Sequence, residues 1–185
     1  MTTQDAHITT KQGVAELHQY ELTDEAILEN LYDEYAHMLF RYAVTLVGNT
    51  EDAEDVVQEV FTRIAQQINH VRRVENPKPY LFTATRNAAF SLLRGRQRQT
   101  LLTEAICAEL LTSPNVDSTP ESLLVCQTFT ELPVEQREVL MLKVFEEMTF
   151  KQIAGVVGSS LNTVASRYRY AIDKLRQSME ADGHG

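Results

Sequence analysis

Residues 149–167 have the sequence TFKQIAGVVGSSLNTVASR, and this stretch decides the fold of the C-terminal part of the chain. Thr149 and Gln152 have the capping-box spacing that begins a helix, and Gly158 is the residue type that ends one. Ser160 is then placed to cap a second helix. A short helix, a tight turn with glycine and a second helix form the helix-turn-helix layout, which occurs in proteins that bind duplex DNA.

The second of these helices has two distinct faces. Its outer face carries short hydrogen-bonding side chains and two arginines: Asn162, Thr163, Ser166, Arg167 and Arg169. Its inner face is apolar at helical spacing: Leu161, Val164, Tyr168, Ala171, Ile172, Leu175 and Met179. The outer residues are suited to base edges, phosphate and guanine. A solvated helix whose cations complement the macrodipole would look similar, but the preceding glycine turn favours DNA binding.

Helical periodicity also runs through most of the remaining chain, so we expect an all-α fold. In the first long helix the apolar residues recur at steps of three and four: Leu28, Leu31, Tyr32, Tyr35, Leu39, Tyr42, Ala43 and Leu46. Gly48 ends this helix, and Asn49 or Thr50 caps the next one.

Prolines and turn residues divide the chain further. We expect a break from Asn69 to Pro79 and a third helix from about Tyr80 to Arg96, because Pro77 and Pro79 bar an unbroken helix. Weak periodicity and two Xaa-Pro turn signals predict a flexible linker before the capped helix start at Thr119. The expected divisions are an N-terminal extension at 1–26, a helical domain at 27–96, a linker at 97–119, a second helical domain at 120–180 and a tail at 181–185.

The composition excludes several classes of protein. The chain has 185 residues, of which 43% are hydrophobic, so it can form real cores. It has no long apolar segment and no secretory leader, so we expect a cytoplasmic protein without membrane insertion. The histidines lack metal-ligand spacing, and no phosphate loop or nucleophile motif occurs. We therefore expect no metal, no cofactor and no enzymatic activity.

The two cysteines, Cys107 and Cys126, do not form a CxxC motif. Their number and spacing suggest neither a disulfide framework nor a zinc site. We expect free, buried thiols.

The net charge of -9 argues at first against a nucleic-acid-binding protein. The charge is unevenly distributed, however. Residues 76–100 contain five basic and no acidic residues, and residues 151–185 are also net basic, whereas residues 27–75 are acidic. Fields act locally once salt screens them, so different surfaces can serve different partners.

Two further groups of residues indicate binding surfaces. The third helix combines cations, an amide and an aromatic ring, as single-stranded nucleic acid requires: Arg86, Asn87, Phe90, Arg94, Arg96 and Arg98. The second helix carries acidic and amide side chains away from its apolar stripe, including Asp55, Gln58 and Glu59. Judged from these residues alone, the first group could equally be an ordinary basic helix end, and the second an ordinary solvated acidic face.

These motifs together resemble the extracytoplasmic-function (group IV) sigma factors of the sigma-70 family. TEDAEDVVQEVF at 50–61 is similar to the family's AEDxxQExF signature, and PYLFTATRN at 79–87 is similar to its WLxxxARN continuation. LPVEQREV at 132–139 and FKQIA at 150–154, followed by Gly158 and TVASR at 163–167, resemble the region-four signature. The resemblance covers about residues 27–180.

The resemblance implies a specificity subunit of RNA polymerase, with a role for each surface. The region-two domain would bind the β-prime clamp helices of core RNA polymerase through Asp55, Gln58 and Glu59. It would bind the minus-10 element of promoter DNA, with strand opening, through Asn69, Arg72, Arg73, Arg86, Asn87, Phe90 and Arg94. The region-four domain would bind the minus-35 element through Asn162, Thr163, Ser166, Arg167 and Arg169, and would contact the polymerase β flap. An anti-sigma factor is a further expected partner.

Some positions depart from the family pattern, and two other classes stay open. Tyr80 replaces the usual Trp, Ser91 a frequent Asp, and Ala165 a commonly basic residue. The alternative function is a stand-alone helix-turn-helix transcriptional regulator whose N-terminal helices mediate dimerisation. A protein-interaction module without DNA binding is the third class.

Overall fold

The structure, a computed structural model, describes residues 23–95, 106–109 and 119–182. The expected all-α fold of two helical units is confirmed: the regular segments of the described ranges are helices. In chain order they are α1 (Asp24–Val47), α2 (Thr50–Gln66), α3 (Ile68–Val71), α4 (Pro77–Gly95), α5 (Pro120–Glu131), α6 (Val134–Val144), α7 (Phe150–Val157) and α8 (Leu161–Asp182). A single helical turn spans 106–109. None of the described helices has the length and apolar character needed to cross a membrane.

Helices α1 to α4 form the N-terminal half, and α5 to α8 form the C-terminal half. In the first, α1, α2 and α4 pack against one another around buried Leu39, Val60 and Phe82. In the second, α8 packs on α5, α6 and α7 through residues such as Val164 and Ala171. The halves also contact each other, mainly through α4 against α7 and α1 against α6.

The local signals at the helix ends are confirmed. Gly48 and Gly158 end α1 and α7 with left-handed backbone, at φ 85° and 64°. The predicted caps accept backbone hydrogen bonds from the first turns of their helices: Asn49 from Asp52, Thr119 from Ser122, Thr149 from Gln152 and Ser160 from Thr163.

The break predicted at residues 69–79 is present but shorter than expected. The short helix α3 extends into its start, and α4 begins at Pro77 instead of near Tyr80. Proline is compatible with the first turn of a helix, because backbone N–H groups there have no intrahelical acceptor. Both Pro77 and Pro79 lie in that turn, so they begin the helix and do not delay it.

Three residues expected in the core are largely exposed. Tyr32 of α1 is 54% exposed, and Leu161 and Met179 of α8 are 52% and 47% exposed. Periodicity assigns each to the apolar side of its helix, but within the described residues the neighbouring helices leave about half of each side chain exposed.

The expectation of free thiols was also wrong, since Cys107 and Cys126 form a disulfide. The turn at 106–109 lies against α5 with Ile106 buried, which brings the two Cα atoms to 5.5 Å. This distance is within the normal range for a disulfide. Apart from this turn and Thr119, the predicted linker lies outside the described residues, as do Arg96 and most of the N-terminal extension.

The two glycines around the helix-turn-helix give a matched test of backbone energetics. A Cβ atom at either Gly155 or Gly158 would meet no atom within 4 Å. Gly155 is inside α7, so Gly155→Ala should raise the free energy of unfolding by about 0.5–1 kcal/mol. Gly158 has positive φ, so Gly158→Ala should lower it by about 1–2 kcal/mol. Urea unfolding of both variants measures these changes, and equal signs would contradict the explanation.

Candidate nucleic-acid and protein interfaces

The predicted minus-35 residues lie together on the outer face of α8. Asn162, Thr163 and Arg169 are exposed, and Ser166 and Arg167 are partly buried. Two hydrogen bonds order this face: Arg167 Nη1 donates to Ser159 Oγ at 3.4 Å, and Arg169 Nη2 donates to Ser166 Oγ at 3.3 Å. The face therefore presents hydroxyls, an amide and two guanidinium groups to solvent.

Helix α7 fixes the position of α8. Val164 is fully buried, and the rings of Phe150 and Tyr168 meet edge to face with centroids 5.5 Å apart. The α7–turn–α8 unit therefore has packed inner sides and a polar outer surface, as a helix-turn-helix requires.

The predicted polymerase-binding residues lie on the outer face of α2. Asp55 and Gln58 are exposed, while Glu59 is partly buried and forms an ion pair with Arg63 one turn later. A shallow depression on this face is lined by Asp55, Gln58, Glu59, Thr62, Arg63 and Gln66.

Beside this acidic face lies an apolar groove that was not predicted from the sequence. The groove is between α1 and α2 and has a volume of about 910 Å³. Tyr32 forms part of its wall, with its ring centroid 4.9 Å from that of Phe61. Gln58 and Thr62 line both the groove and the acidic depression, so the two are continuous.

The predicted minus-10 residues lie on two parts of the N-terminal half, on α3 with the turn after it and on α4. Asn69, Arg72 and Arg73 are exposed on α3 and the turn after it, where Arg72 Nη2 pairs with Asp24 Oδ1 at 2.7 Å. The rings of His70 and Tyr80, 5.9 Å apart, join this region to the start of α4.

The remaining predicted residues of this group continue along α4. Asn87 and Arg94 are exposed, and Phe90 is partly buried. At about 1.5 Å per residue, Arg94 lies about 21 Å along the helix from Tyr80. The structure therefore does not bring all seven residues to one point, but places them along an extended surface.

Arg86 differs from its neighbours because it binds the other half of the molecule. Its Cζ atom stands 4.6 Å from the centroid of the Phe90 ring, and its Nε donates to Glu138 Oε1 of α6 at 2.8 Å. The hydroxyl of Tyr42 donates to the same carboxylate oxygen at 2.6 Å. Glu138 is thus a buried carboxylate held by two donors from the N-terminal half.

A second buried carboxylate repeats this arrangement. Glu146 Oε1 accepts a hydrogen bond from Arg41 Nη2 at 2.7 Å, and Lys78 Nζ lies 3.5 Å from its other oxygen. In the reverse direction, Arg137 Nε of α6 donates to the Thr45 carbonyl at 3.2 Å. We call Arg41, Tyr42, Lys78, Arg86, Arg137, Glu138 and Glu146 the inter-half network.

Burial alters the titration of two members of this network. Burial raises the pKa of Tyr42 well above its usual 10.0, and the negative charge of Glu138 adds to the effect. Burial lowers the pKa of Arg137. The Tyr42 phenol therefore stays protonated and serves as a hydrogen-bond donor to Glu138.

Sequence reasoning did not identify the inter-half network, although one signal was present. Glu138 lies beside Val139 in a strongly apolar run, at a position that is buried on α6. A buried carboxylate needs a partner, but the partner Tyr42 is 96 residues away. Within the described ranges, no three His, Cys, Asp or Glu side chains cluster as metal ligands would.

Comparison with known proteins agrees with this architecture. The chain matches the family described as Sigma-70 region 2 over residues 31–99, and the family described as Sigma-70, region 4 over residues 127–175. It is 30% identical to the ECF RNA polymerase sigma factor SigL of Mycobacterium tuberculosis H37Rv, over 86% of this chain and 93% of that protein. It is 26% identical to RNA polymerase sigma factor SigV of Bacillus subtilis 168, over 83% and 92% of the two chains.

Solved structures show the same fold. The sigma factor RpoE of Bartonella quintana, in complex with the anti-sigma factor NepR, aligns with a TM-score of 0.66 at 19% identity, over 83% of this chain and 97% of that one. CnrH in complex with the cytosolic domain of CnrY aligns with a TM-score of 0.59 at 24% identity, over 86% and 91%.

The fold and the two exposed surfaces define a two-part helical protein with a helix-turn-helix in its second part. Both region matches and the identity with SigL narrow this class. The chain belongs to the extracytoplasmic-function sigma factors of the sigma-70 family.

The hydrogen bond from Tyr42 to Glu138 predicts a pH-dependent contribution to stability. Tyr42→Phe should lower the free energy of unfolding at pH 7 by about 1–3 kcal/mol, because the buried carboxylate loses a donor. The raised pKa of Tyr42 means that this contribution is complete below pH 10 and declines above it, since only the unfolded chain then releases the proton.

Urea unfolding between pH 7 and pH 11 measures this contribution. The gap between wild type and Tyr42→Phe should narrow above pH 10. Tyr170→Phe is the control, because Tyr170 is 65% exposed. A constant gap across this range would contradict the assigned hydrogen bond.

Proposed function

We propose that this sigma factor binds core RNA polymerase and directs it to promoters that carry minus-10 and minus-35 elements. The observation that carries the proposal is the presence in one chain of both sigma regions, each of which has polar side chains exposed on its surface. The proposed domains are 27–96 for polymerase and minus-10 binding and 120–180 for minus-35 binding. The chemistry of transcription belongs to the polymerase, so we expect no catalytic activity from this chain.

The proposed docking site for polymerase is the acidic face of α2 with the adjoining groove. Asp55 and Gln58 are exposed, and Glu59 borders the same depression. A basic helical partner, the β-prime clamp helices, would satisfy the carboxylates while its apolar side chains cover the groove. Charge complementarity of this kind fixes the register of the partner and accelerates its association.

The proposed minus-10 surface follows α3 and α4. Arg72, Arg73 and Arg94 supply positive charge for phosphates, and Asn69 and Asn87 supply amides for base edges. Phe90 and the plane of Arg86 are suited to stacking with a base. Extruding a base from the duplex costs a few kcal/mol, which this stacking and the pocket contacts would offset.

The proposed minus-35 surface is the outer face of α8. Asn162 and Thr163 lie in the first turn of α8, where recognition helices contact base edges, and Arg167 and Arg169 follow within two turns. The remaining outer surface of the C-terminal half is the proposed contact with the β flap.

Promoter binding by Arg86 would require the two halves to separate. Its guanidinium is bound to Glu138 in this arrangement, and a buried carboxylate competes directly with a phosphate for the same group. We therefore infer that the structure represents a closed form and that polymerase and promoter stabilise an open one.

We include an anti-sigma factor among the proposed partners, because the structural neighbour RpoE was solved in complex with the anti-sigma factor NepR. The proposed location is the cytoplasm, where polymerase and DNA meet. The stand-alone regulator is not favoured, because its N-terminal helices would serve dimerisation, whereas the N-terminal half here matches sigma region 2.

Run-off transcription tests the proposed function. Core polymerase with the full chain should initiate selectively from some members of a promoter library, and the chain should co-purify with the core enzyme. A protein that forms no complex with core polymerase and protects duplex DNA alone would be the stand-alone regulator. A protein with neither activity would be an interaction module.

Glu59→Lys tests the polymerase-binding face. The full-length variant should bind a β-prime clamp-helix fragment about tenfold more weakly, a change of about 1.4 kcal/mol, because a complementary charge becomes repulsive. The lost ion pair with Arg63 is a surface i,i+4 pair and should change folding stability by only about 0.3–0.5 kcal/mol. Glu135→Lys, on an exposed site of α6, is the charge-matched control. Unchanged affinity of Glu59→Lys would refute the assignment.

Arg167→Ala tests the minus-35 face. If Arg167 contacts a base, binding to the preferred minus-35 duplex in the presence of core polymerase should weaken by about 1–3 kcal/mol, with relaxed preference at one base pair. An equal loss on every duplex would instead assign Arg167 to a phosphate. Arg176→Ala is the control, because Arg176 lies nine residues further along α8 and pairs with Asp173.

A further inference from the structure

The described turn at 106–109 is attached to both halves of the molecule. On one side, Cys107 is bonded to Cys126 of α5 in the C-terminal half. On the other, Glu109 Oε1 lies 3.7 Å from His37 Nδ1 of α1 in the N-terminal half. Ile106, between these attachments and the core, is 1% exposed. The disulfide is covalent, whereas the contact between Glu109 and His37 is not. The disulfide therefore persists when the halves separate.

The disulfide changes the covalent path between the halves. Without it, about 24 residues connect Gly95 to Thr119, and a fully extended chain of that length reaches about 80 Å. With the disulfide, the covalent path follows the chain from Gly95 for about 12 residues to Cys107 and then crosses the bond to Cys126 of α5. The greatest length of this path is about 40 Å. The disulfide therefore reduces the greatest possible distance between the N-terminal and C-terminal halves by about half.

The shorter path leaves little excess length between two promoter elements, an argument that rests on the proposed function. Their names place the minus-10 and minus-35 elements about 25 base pairs apart, or about 85 Å along B-form DNA. Helix α8 adds about 33 Å of length, and the part of α4 from Tyr80 to Arg94 adds about 21 Å. The path with the disulfide then reaches about 95 Å only at full extension, whereas the path without it exceeds about 130 Å.

We propose that the Cys107–Cys126 disulfide is a reversible redox tie, which peroxide forms and thiols break. It hinders the two halves from engaging both promoter elements at once, because the shorter path must then be almost fully extended. Where polymerase and DNA meet, thiols are normally kept reduced, so the dithiol is the resting form and the bond forms under oxidation.

The reaction balances with a hydroperoxide as oxidant. The Cys107 thiolate attacks one peroxide oxygen and becomes a sulfenic acid as the O–O bond breaks and the first water leaves. The Cys126 thiol then displaces the sulfenic oxygen as a second water, so two thiols and one H₂O₂ give one disulfide and two waters. In reverse, a dithiol supplies two electrons and two protons and becomes a disulfide itself.

Exposure of the two sulfur-bearing residues sets the order of these steps. Cys107 is partly exposed, whereas Cys126 is 3% exposed. Oxidant and reductant therefore reach Cys107 first, and Cys126 is the resolving thiol. This order also makes Cys107→Ser the milder test variant, because the buried position is left intact.

The first experiment follows transcription by the full chain. Reduced and peroxide-treated protein are compared with core polymerase on a promoter with both elements and on one with a scrambled minus-35 element. Maleimide labelling after denaturation counts the free thiols. We expect two thiols before treatment and none after it, with a loss of about tenfold or more in transcription that is confined to the two-element promoter. Dithiothreitol should restore the activity.

Several results would overturn the proposal. Thiols that stay free under peroxide would exclude the bond, and a bond that leaves transcription unchanged would exclude its role. If peroxide lowered transcription by Cys107→Ser as much as transcription by the wild type, the loss would be assigned to other oxidised residues. Cys107→Ala is a second variant for the same comparison. Absence of transcription with reduced protein would refute the proposed function instead.

A second experiment tests the tie without polymerase. In Glu138→Gln/Glu146→Gln the inter-half ion pairs are removed, and small-angle scattering then reports the separation of the halves. Reduced protein should expand beyond the radius of gyration of about 16 Å that a compact chain of this length has, and the oxidised protein should stay more compact. Circular dichroism checks helicity, and Arg86→Gln replaces the double variant if helicity is lost. Equal radii of gyration for the reduced and the oxidised protein would overturn the proposed tie, independently of the proposed function in transcription.

Discussion

The arrangement of the two halves depends on the buried carboxylate of Glu138. Its donors, the Tyr42 hydroxyl and Arg86 Nε, both belong to the N-terminal half. A carboxylate that is buried without partners costs several kcal/mol, whereas one that is paired or fully hydrated does not. Small displacements of the halves are therefore penalised, and the proposed open form is one in which Glu138 is fully hydrated. The same argument applies to Glu146 and Arg41.

A polar contact of this kind suits a reversible association. The buried apolar residues of the two halves form one continuous cluster, so the inter-half network is the polar part of a mixed contact. The attraction in a buried ion pair is largely offset by the cost of removing both charges from water. Separation of the halves returns these charges to solvent at a modest net cost, while an apolar contact of the same size would lose its whole hydrophobic contribution. The orientation is thus specific without being permanent.

The sequence predicted those features that local chemistry determines. The caps at Asn49, Thr119, Thr149 and Ser160 and the left-handed glycines at Gly48 and Gly158 involve residues within one turn of each other. The exposed faces of α2 and α8 were also predicted, because polar residues at helical spacing lie opposite an apolar stripe.

The features that were not predicted depend on residues far apart in the chain. Periodicity gives the apolar side of a helix but does not say whether another helix covers it, which is why Tyr32 was wrongly assigned to the core. The disulfide requires a turn in the predicted linker to pack on α5, and no local pattern encodes that contact.

Arg86 shows why a site prediction from sequence is incomplete, because the sequence does not show that this side chain binds Glu138 of the other half. Its guanidinium has two functions that exclude each other: it binds Glu138 in the closed form, and in the proposed open form it binds nucleic acid. Its stacking on Phe90 does not require Glu138 and can persist in both. Exchange of a carboxylate for a phosphate would therefore preserve the ring contact and replace one anion by another. Because the two anions compete for one group, the C-terminal half would lower the affinity of the proposed minus-10 surface for DNA as long as the molecule is closed.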